Sequence, residues 1–179
     1  IHSPTWLPNS DLLLFGQNGM IYGAQGEVSV PLLTEARVPA VSPDGRQMAL
    51  IRQNAIWLYQ LTMGIAARHC RIDNARTLLW SPDGEHLAAT TDQGVVVVSV
   101  LTQEIIAQFP GDSPTWSGDG SFLAYVAKGE DNTTKIQVWE LDSMETDVLA
   151  SFRSKDKGAV HWSASGNALA YITDEGLHL

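Results

Sequence analysis

Apolar and polar residues alternate in short stretches along most of the chain, and a helical period is nowhere sustained. The pattern is clearest between Arg76 and Phe109. There, β-branched and other apolar residues concentrate in Arg76 to Trp80, His86 to Thr90, Val95 to Val100 and Glu104 to Phe109. The intervals hold Pro82-Asp83-Gly84, Asp92-Gln93-Gly94 and Leu101-Thr102-Gln103, so the segment predicts a run of short antiparallel strands joined by turns. Pro presets φ for a turn, Asp can bond its own downstream backbone, and Gly takes the positive-φ position, so the first connection predicts a tight hairpin.

The same pattern recurs along the chain. Trp80-Ser81-Pro82-Asp83-Gly84 is echoed by Val41-Ser42-Pro43-Asp44-Gly45 and Trp116-Ser117-Gly118-Asp119-Gly120. Looser copies are Trp162-Ser163-Ala164-Ser165-Gly166 and Trp6-Leu7-Pro8-Asn9-Ser10, and Ser3-Pro4-Thr5-Trp6 recurs verbatim as Ser113-Pro114-Thr115-Trp116. The anchors at 6, 41, 80, 116 and 162 are separated by 35, 39, 36 and 46 residues. Seven positions beyond them lie Leu13, Met48, Leu87, Leu123 and Leu169, followed by Leu14, Ala49, Ala88, Ala124 and Ala170. A further β-rich segment begins at Ile21, Ile56, Val95 and Leu177. In the fourth unit it is delayed to Ile136 by a polar insertion expected as a loop over Lys128 to Lys135.

A unit of this size cannot bury both faces alone. The anchor Trp offers a large flat apolar surface and the repeated Ala permits close approach, so the units are expected to stack as twisted sheets around an axis, with Trp80 and Trp116 between neighbours. The fold class is all-β, a β-propeller of four-stranded antiparallel blades. About five repeats are expected, over roughly 1–36, 37–75, 76–111, 112–157 and 158–179, as a single domain or propeller fragment. The last unit reaches only its third strand, which favours membership of a larger ring of about six to eight blades over closure with a three-stranded final blade.

The W-S-P-D-G-x-x-[LIM]-A pattern of Trp80 to Ala88, with its cousins from Val41, Trp116 and Trp162, resembles the WD40-like (PD40) repeat of TolB-type β-propellers. That repeat also occurs in the propellers of tricorn-like and prolyl oligopeptidase-like peptidases, and the resemblance covers essentially the whole chain. It implies a non-catalytic scaffold that binds a protein or peptide on its variable loop face or in its central funnel. The alternative is an accessory propeller of a hydrolase whose catalytic domain lies outside this chain. The sequence departs from the pattern at Leu7-Pro8-Asn9-Ser10, at Val41, and in the fifth unit, which lacks both Pro and Asp.

Charge narrows the partners. Eleven Lys and Arg against twenty Asp and Glu give a net charge of −9, the reverse of what a phosphate backbone or an anionic membrane surface attracts. The longest apolar run, Phe122 to Ala127, is far short of the roughly 20 residues that cross a bilayer. Cys70 is the single cysteine, which excludes an intramolecular disulfide and leaves the compartment, cytoplasmic or extracytoplasmic, open. Ile1 is not an initiator Met and no signal-like segment precedes the first unit, so the chain reads as a processed, excised or fragmentary product.

Catalytic motifs are not found. Gly111-Asp112-Ser113-Pro114-Thr115 lacks the closing Gly of a nucleophile elbow, and Ser113 occupies a repeat position also held by Ser3. His-Glu-x-x-His, a P-loop and a strand-linked Gly-x-Gly-x-x-Gly are missing, so no catalytic residue, metal ligand or cofactor is assigned. The histidines at 2, 69, 86, 161 and 178 are scattered, and His86 and His161 fill ordinary strand positions. Glu130-Asp131-Asn132 lacks calcium-loop spacing, and Asn132-Thr133-Thr134 is a formal sequon best read as a polar loop tip. Ser3, Arg37, Arg76, Asp112 and Gly158 lie near the starts of the first strands, with mixed charges that suggest no reaction.

In a meander the Asp-Gly turns share one face of the ring, and the links between second and third strands form the other. Those links are Gly16 to Gly19, Arg52 to Asn54, Thr91 to Gly94, Lys128 to Lys135 and Asp174 to Gly176, expected to vary in length and charge. Asp92, Lys128, Glu130, Asp131, Lys135, Asp174 and Glu175 are therefore the candidate partner-binding residues. The acidic members suit a protein or peptide presenting a basic or amide-rich surface.

Overall fold

The structure, a computed structural model, describes residues 2–130, 133–153, 159–163, 165–166, 168–174 and 176–179. Its first sheet is β1 (His2–Trp6), β2 (Leu13–Gln17), β3 (Met20–Gln25) and β4 (Val28–Thr34). The second is β5 (Arg37–Val41), β6 (Gln47–Arg52), β7 (Ala55–Gln60) and β8 (Ile65–Arg71). The third comprises β9 (Thr77–Trp80), β10 (His86–Thr91), β11 (Gly94–Ser99) and β12 (Ile105–Phe109). In the fourth are β13 (Asp112–Trp116), β14 (Phe122–Lys128), β15 (Thr133–Glu140) and β16 (Thr146–Arg153). The fifth has three strands, β17 (Ala159–Trp162), β18 (Leu169–Thr173) and β19 (Gly176–His178). Within each sheet every strand pairs antiparallel with its neighbour in sequence, as the repeats require.

The Ser-Pro-Asp-Gly turns form as their chemistry dictates. Ser42 Oγ donates to Asp44 Oδ1 at 2.6 Å and accepts from the Gln47 amide at 3.0 Å, while the Arg46 amide donates to Asp44 Oδ1. Ser81 with Asp83, and Ser117 with Asp119, repeat the same set of bonds. Gly45, Gly84 and Gly120 take φ of 70°, 74° and 80°, where a Cβ would be strained. In the fifth unit Ser165 replaces the Asp, yet Ser163 Oγ still accepts from the Ala168 amide at 3.1 Å. The first unit has Leu7 in place of the Ser, and Ser10 Oγ instead accepts from the Leu12 amide.

Pro divides the innermost strands into two kinds. Pro4, Pro39 and Pro114 lie in β1, β5 and β13, where a Pro has no N–H to give the ladder. All three strands contain a one-residue bulge, with the residue before Pro (Ser3, Val38 or Ser113) at φ of 50° to 56°. At the matching positions β9 and β17 carry Leu78 and Val160 instead of Pro, and both pair in unbroken register with their second strands. The verbatim repeat of Ser3-Pro4-Thr5-Trp6 thus encodes a bulge in addition to an anchor.

The core lies between sheets. Trp80 is buried against Ala40, Ala49, Ile51 and Ile56 of the second blade, and its Nε1 donates to the Ala40 carbonyl at 2.9 Å. Trp116 packs in the same way on Ala88, Val95 and Val97 of the third. The repeated alanines Ala49, Ala88 and Ala124 have no exposed surface, because each is the floor on which the following blade rests. The Trp116 indole is less well served: its Nε1 is buried with no hydrogen-bond partner, beside His86 at 6.2 Å between ring centroids.

One expectation needs correction. Lys128 to Lys135 is not all loop: Lys128 pairs with Thr134 and Ala127 with Lys135, so the insertion lengthens a hairpin and leaves only 129–132 as its connection. Thr133 and Thr134 are β-branched and continue the ladder, which the polarity of the stretch concealed.

Candidate functional site

The second-to-third-strand connections are short. Four of the five span two residues, at Asn18-Gly19, Gln53-Asn54, Asp92-Gln93 and 174–175, and the fourth blade's is the longer 129–132. They differ more in residue type than in length. Asn18, Gly19, Gln53 and Asn54 all have positive φ, the geometry of two-residue hairpin turns that match strand twist. The exposed tips are rich in amides and carboxylates: Asn18, Gln53, Asn54, Asp92, Gln93, Glu130 and Asp174.

Asp92 is held by Arg76, whose Nη1 lies 3.5 Å from its Oδ1 and whose Nη2 donates to the Thr91 carbonyl at 2.7 Å. Two residues read separately in the sequence therefore meet at one end of the third blade. Lys128 is exposed at the end of β14. Lys135 is half-buried on β15, its stem passing close to Gly129. Glu130 is exposed, and its carbonyl accepts from Thr133 Oγ1 at 2.8 Å. Asp174 is exposed beyond β18, while Asp131 and Glu175 lie outside the described residues. Each residue stands on its own blade's connection, apart from the fourth-blade group of Lys128, Glu130 and Lys135.

Three arginines at the same ends of their strands were not among the candidates. Arg37 Nη1 donates to the Ala75 carbonyl at 3.1 Å and ties the second blade to the third. Arg52 pairs with Glu35 at 3.3 Å and lies 5.6 Å from the Trp57 ring centroid. With Arg76, they offset the acidity expected from Asp92 and Asp174. The usable signal was the β5 and β9 strand start, where Arg37 and Arg76 take the same repeat position.

The opposite face is occupied by the Ser-Asp turns. The Ser42 hydroxyl and Arg46 amide hold the Asp44 carboxyl below its usual range, and the Ser117 hydroxyl and Ser121 amide do the same for Asp119. These carboxylates are committed to their own backbone. Near that end, a cleft of about 810 Å³ opens between β16 and the fifth blade, lined by Phe122, Val148, Leu149, Trp162 and Tyr171. Its lining is mixed, with Asp147 beside the apolar side chains, and the buried Trp162 Nε1 has no hydrogen-bond partner.

Reactive groups are sparse. Burial pushes the Cys70 thiol up against the smaller pull of Arg68, so it favours the inert thiol form. Burial pushes His69 down despite its 3.2 Å contact with the Ser99 carbonyl. Among the described residues no group of three or more His, Cys, Asp or Glu side chains could hold a metal ion. Among the described residues no helix is long and apolar enough to cross a membrane.

No family model and no curated protein matches the chain. Solved structures share its fold. The tricorn protease aligns at TM-score 0.78 and 16% identity over 96% of this chain and 19% of its own. A putative TolB from Agrobacterium tumefaciens aligns at 0.73 and 20% identity, over 96% and 69%. The uncomplexed acylaminoacyl peptidase of Pyrococcus horikoshii aligns at 0.70 and 18% identity, over 95% and 34%. The fold is therefore a β-propeller. The chain spans only 19% to 69% of these three structures.

Proposed function

We propose that this chain is a non-catalytic propeller scaffold that binds a protein or peptide on the face built by the second-to-third-strand connections. The observation that carries this reading is the contrast between the two faces. The Ser-Asp turns spend their polar groups on their own backbone, whereas Asn18, Gln53, Gln93 and Glu130 stand exposed on the opposite side. Exposed amides and carboxylates on rigid hairpins can bond an extended backbone or a basic side chain without reordering the scaffold.

Photo-crosslinking groups placed at 18, 53 and 93 should capture the partner, and groups at 44, 83 and 119 should not. The reverse pattern would move the site to the turn face. Trimming the Lys128–Lys135 hairpin to a two-residue connection should weaken binding and leave the melting temperature nearly unchanged; equal affinity would remove that hairpin from the site.

A second reading, an accessory propeller of a hydrolase, is supported by the likeness to the tricorn protease and the acylaminoacyl peptidase. A catalytic domain encoded alongside these residues would favour it, and a longer chain made only of further blades would favour the scaffold.

A further inference from the structure

Positive charge is concentrated in one blade. Residues 37–75 hold five arginines and two aspartates, a net charge of +3, whereas the remainder holds six lysines and arginines against eighteen acids. Three of the five gather on β6 and β8. Arg52 and Arg71 flank Ala55 from the strands on either side of it, and Arg68 stands opposite Trp57. Arg52 is paired with Glu35, and Arg71 with Asp73 at 3.6 Å. Arg68 is exposed and, among the described residues, forms no ion pair.

Arg68 and Arg71 lie on β8, the outermost strand of its sheet, where every second backbone N–H and C=O points away from β7. The first and third blades cover the faces of this sheet, leaving β8 as its open margin. From Ile65 to Arg68 the strand pairs with β7 in unbroken register, so its outer edge is regular there. The other fourth strands differ. β4 is interrupted by Pro31, β12 carries no charged residue, and β16 carries both Asp147 and Arg153, so of these four only β8 offers a Pro-free edge charged with one sign. Beside it a cleft of about 250 Å³ opens against the third blade, with Ile65, Ala67, Arg68, His69, Val100 and Gln103 in its walls.

We propose that β8 is a docking edge for an extended acidic segment of a partner protein, added to the second sheet as a further strand. Main-chain bonds to β8 supply affinity, and side chains of the added strand supply selectivity. Its carboxylates lie along Arg68 and Arg71, and an intervening side chain enters the cleft against Ile65 and Val100. The acidity of the other blades repels the same segment elsewhere, so the charge distribution guides it to this one. Edge, charge and cleft meet on the rim of the ring, apart from the connection face, and the inference does not depend on the function proposed for that face.

A short fluorescent peptide alternating Glu and Val, titrated into the full chain, should bind saturably, with an affinity that falls as salt is raised. A peptide alternating Lys and Val should not bind. Arg68→Glu should weaken binding of the Glu peptide about tenfold or more, and Arg68→Ala should weaken it less, while Arg153→Glu on β16 should leave it unchanged. Each changes a side chain outside the core, and melting curves would check that the fold survives. Hydrogen exchange at Ile65 to Arg68 should slow on binding, and methylating the peptide's backbone nitrogens should abolish its affinity, which separates strand addition from attraction of charge alone. A Glu peptide that does not bind, an Arg68→Glu variant that binds it as wild type does, a methylated peptide that binds equally, protection confined to other strands, or tighter binding of oligodeoxythymidylate than of the peptide would each overturn the inference.

Discussion

The first and third blades are built from one repeat, and their anchor tryptophans have opposite fates. Trp80 is closed under the second blade and bonded to the Ala40 carbonyl, whereas Trp6, with the same Leu opposite it at the next strand, stands 62% exposed. Each repeat therefore specifies only half of an interface. The burial that makes a tryptophan stabilising comes from the blade before it, so the same local pattern has an energetic value set by its neighbour.

Trp80→Ala should have the largest effect, a destabilisation of about 3–5 kcal/mol in denaturant or thermal melts, as for other large buried aromatics. Trp6→Ala should cost at most about 1 kcal/mol, the scale of surface changes. Equal costs would mean that anchors stabilise within their own blade, and the comparison would fail. Ser81→Ala comes next. It leaves the His86 amide without its side-chain acceptor and the Asp83 carboxylate with only the Glu85 amide, and should cost about 1–3 kcal/mol, while Ser10→Ala in the first blade, which removes one exposed bond, should cost less.

The smallest effect should be that of pH. Burial holds the folded-state pKa of His69 below its ordinary value, so the folded chain binds fewer protons than the unfolded one as pH falls through the histidine range. The melting temperature should therefore decline on acidification from neutrality, and His69→Gln should remove that first step. Asp44 and Asp119, also lowered, contribute stability that is present above the usual carboxylate range and lost beneath it, and their decline should survive the His69 change.

The architecture was readable because its signals are local. Ser81, Asp83 and Gly84 satisfy one another within a single turn, and Leu87 and Ala88 fall at fixed distances behind their anchor, so a period in the residues becomes a period in the strands. What escaped depends on pairing across strands. The Asp92 to Arg76 contact needs the register of β9 against β10, and the bulges at Ser3, Val38 and Ser113 need an opposite strand from which to count the extra residue. The Lys128 to Lys135 stretch looked like a loop because polarity, rather than propensity, dominates it. The candidate binding face was visible only as a consequence of topology, since it is assembled from connections that lie far apart in the sequence.

The uninterrupted strand order within each sheet has a consequence for how the chain reaches its structure. Nearly all hydrogen-bonded partners are one hairpin apart, so little loop-closure entropy stands in the way of any single sheet, and for an all-β protein the relative contact order is low. Assembly can proceed as a zipper. A blade forms from its own hairpins, then gains its stability when the next one emerges and settles its tryptophan onto the waiting alanine. Synthesis from the N-terminus supplies these partners in the order in which they are needed, and each newly finished sheet offers its alanine face to the one that follows.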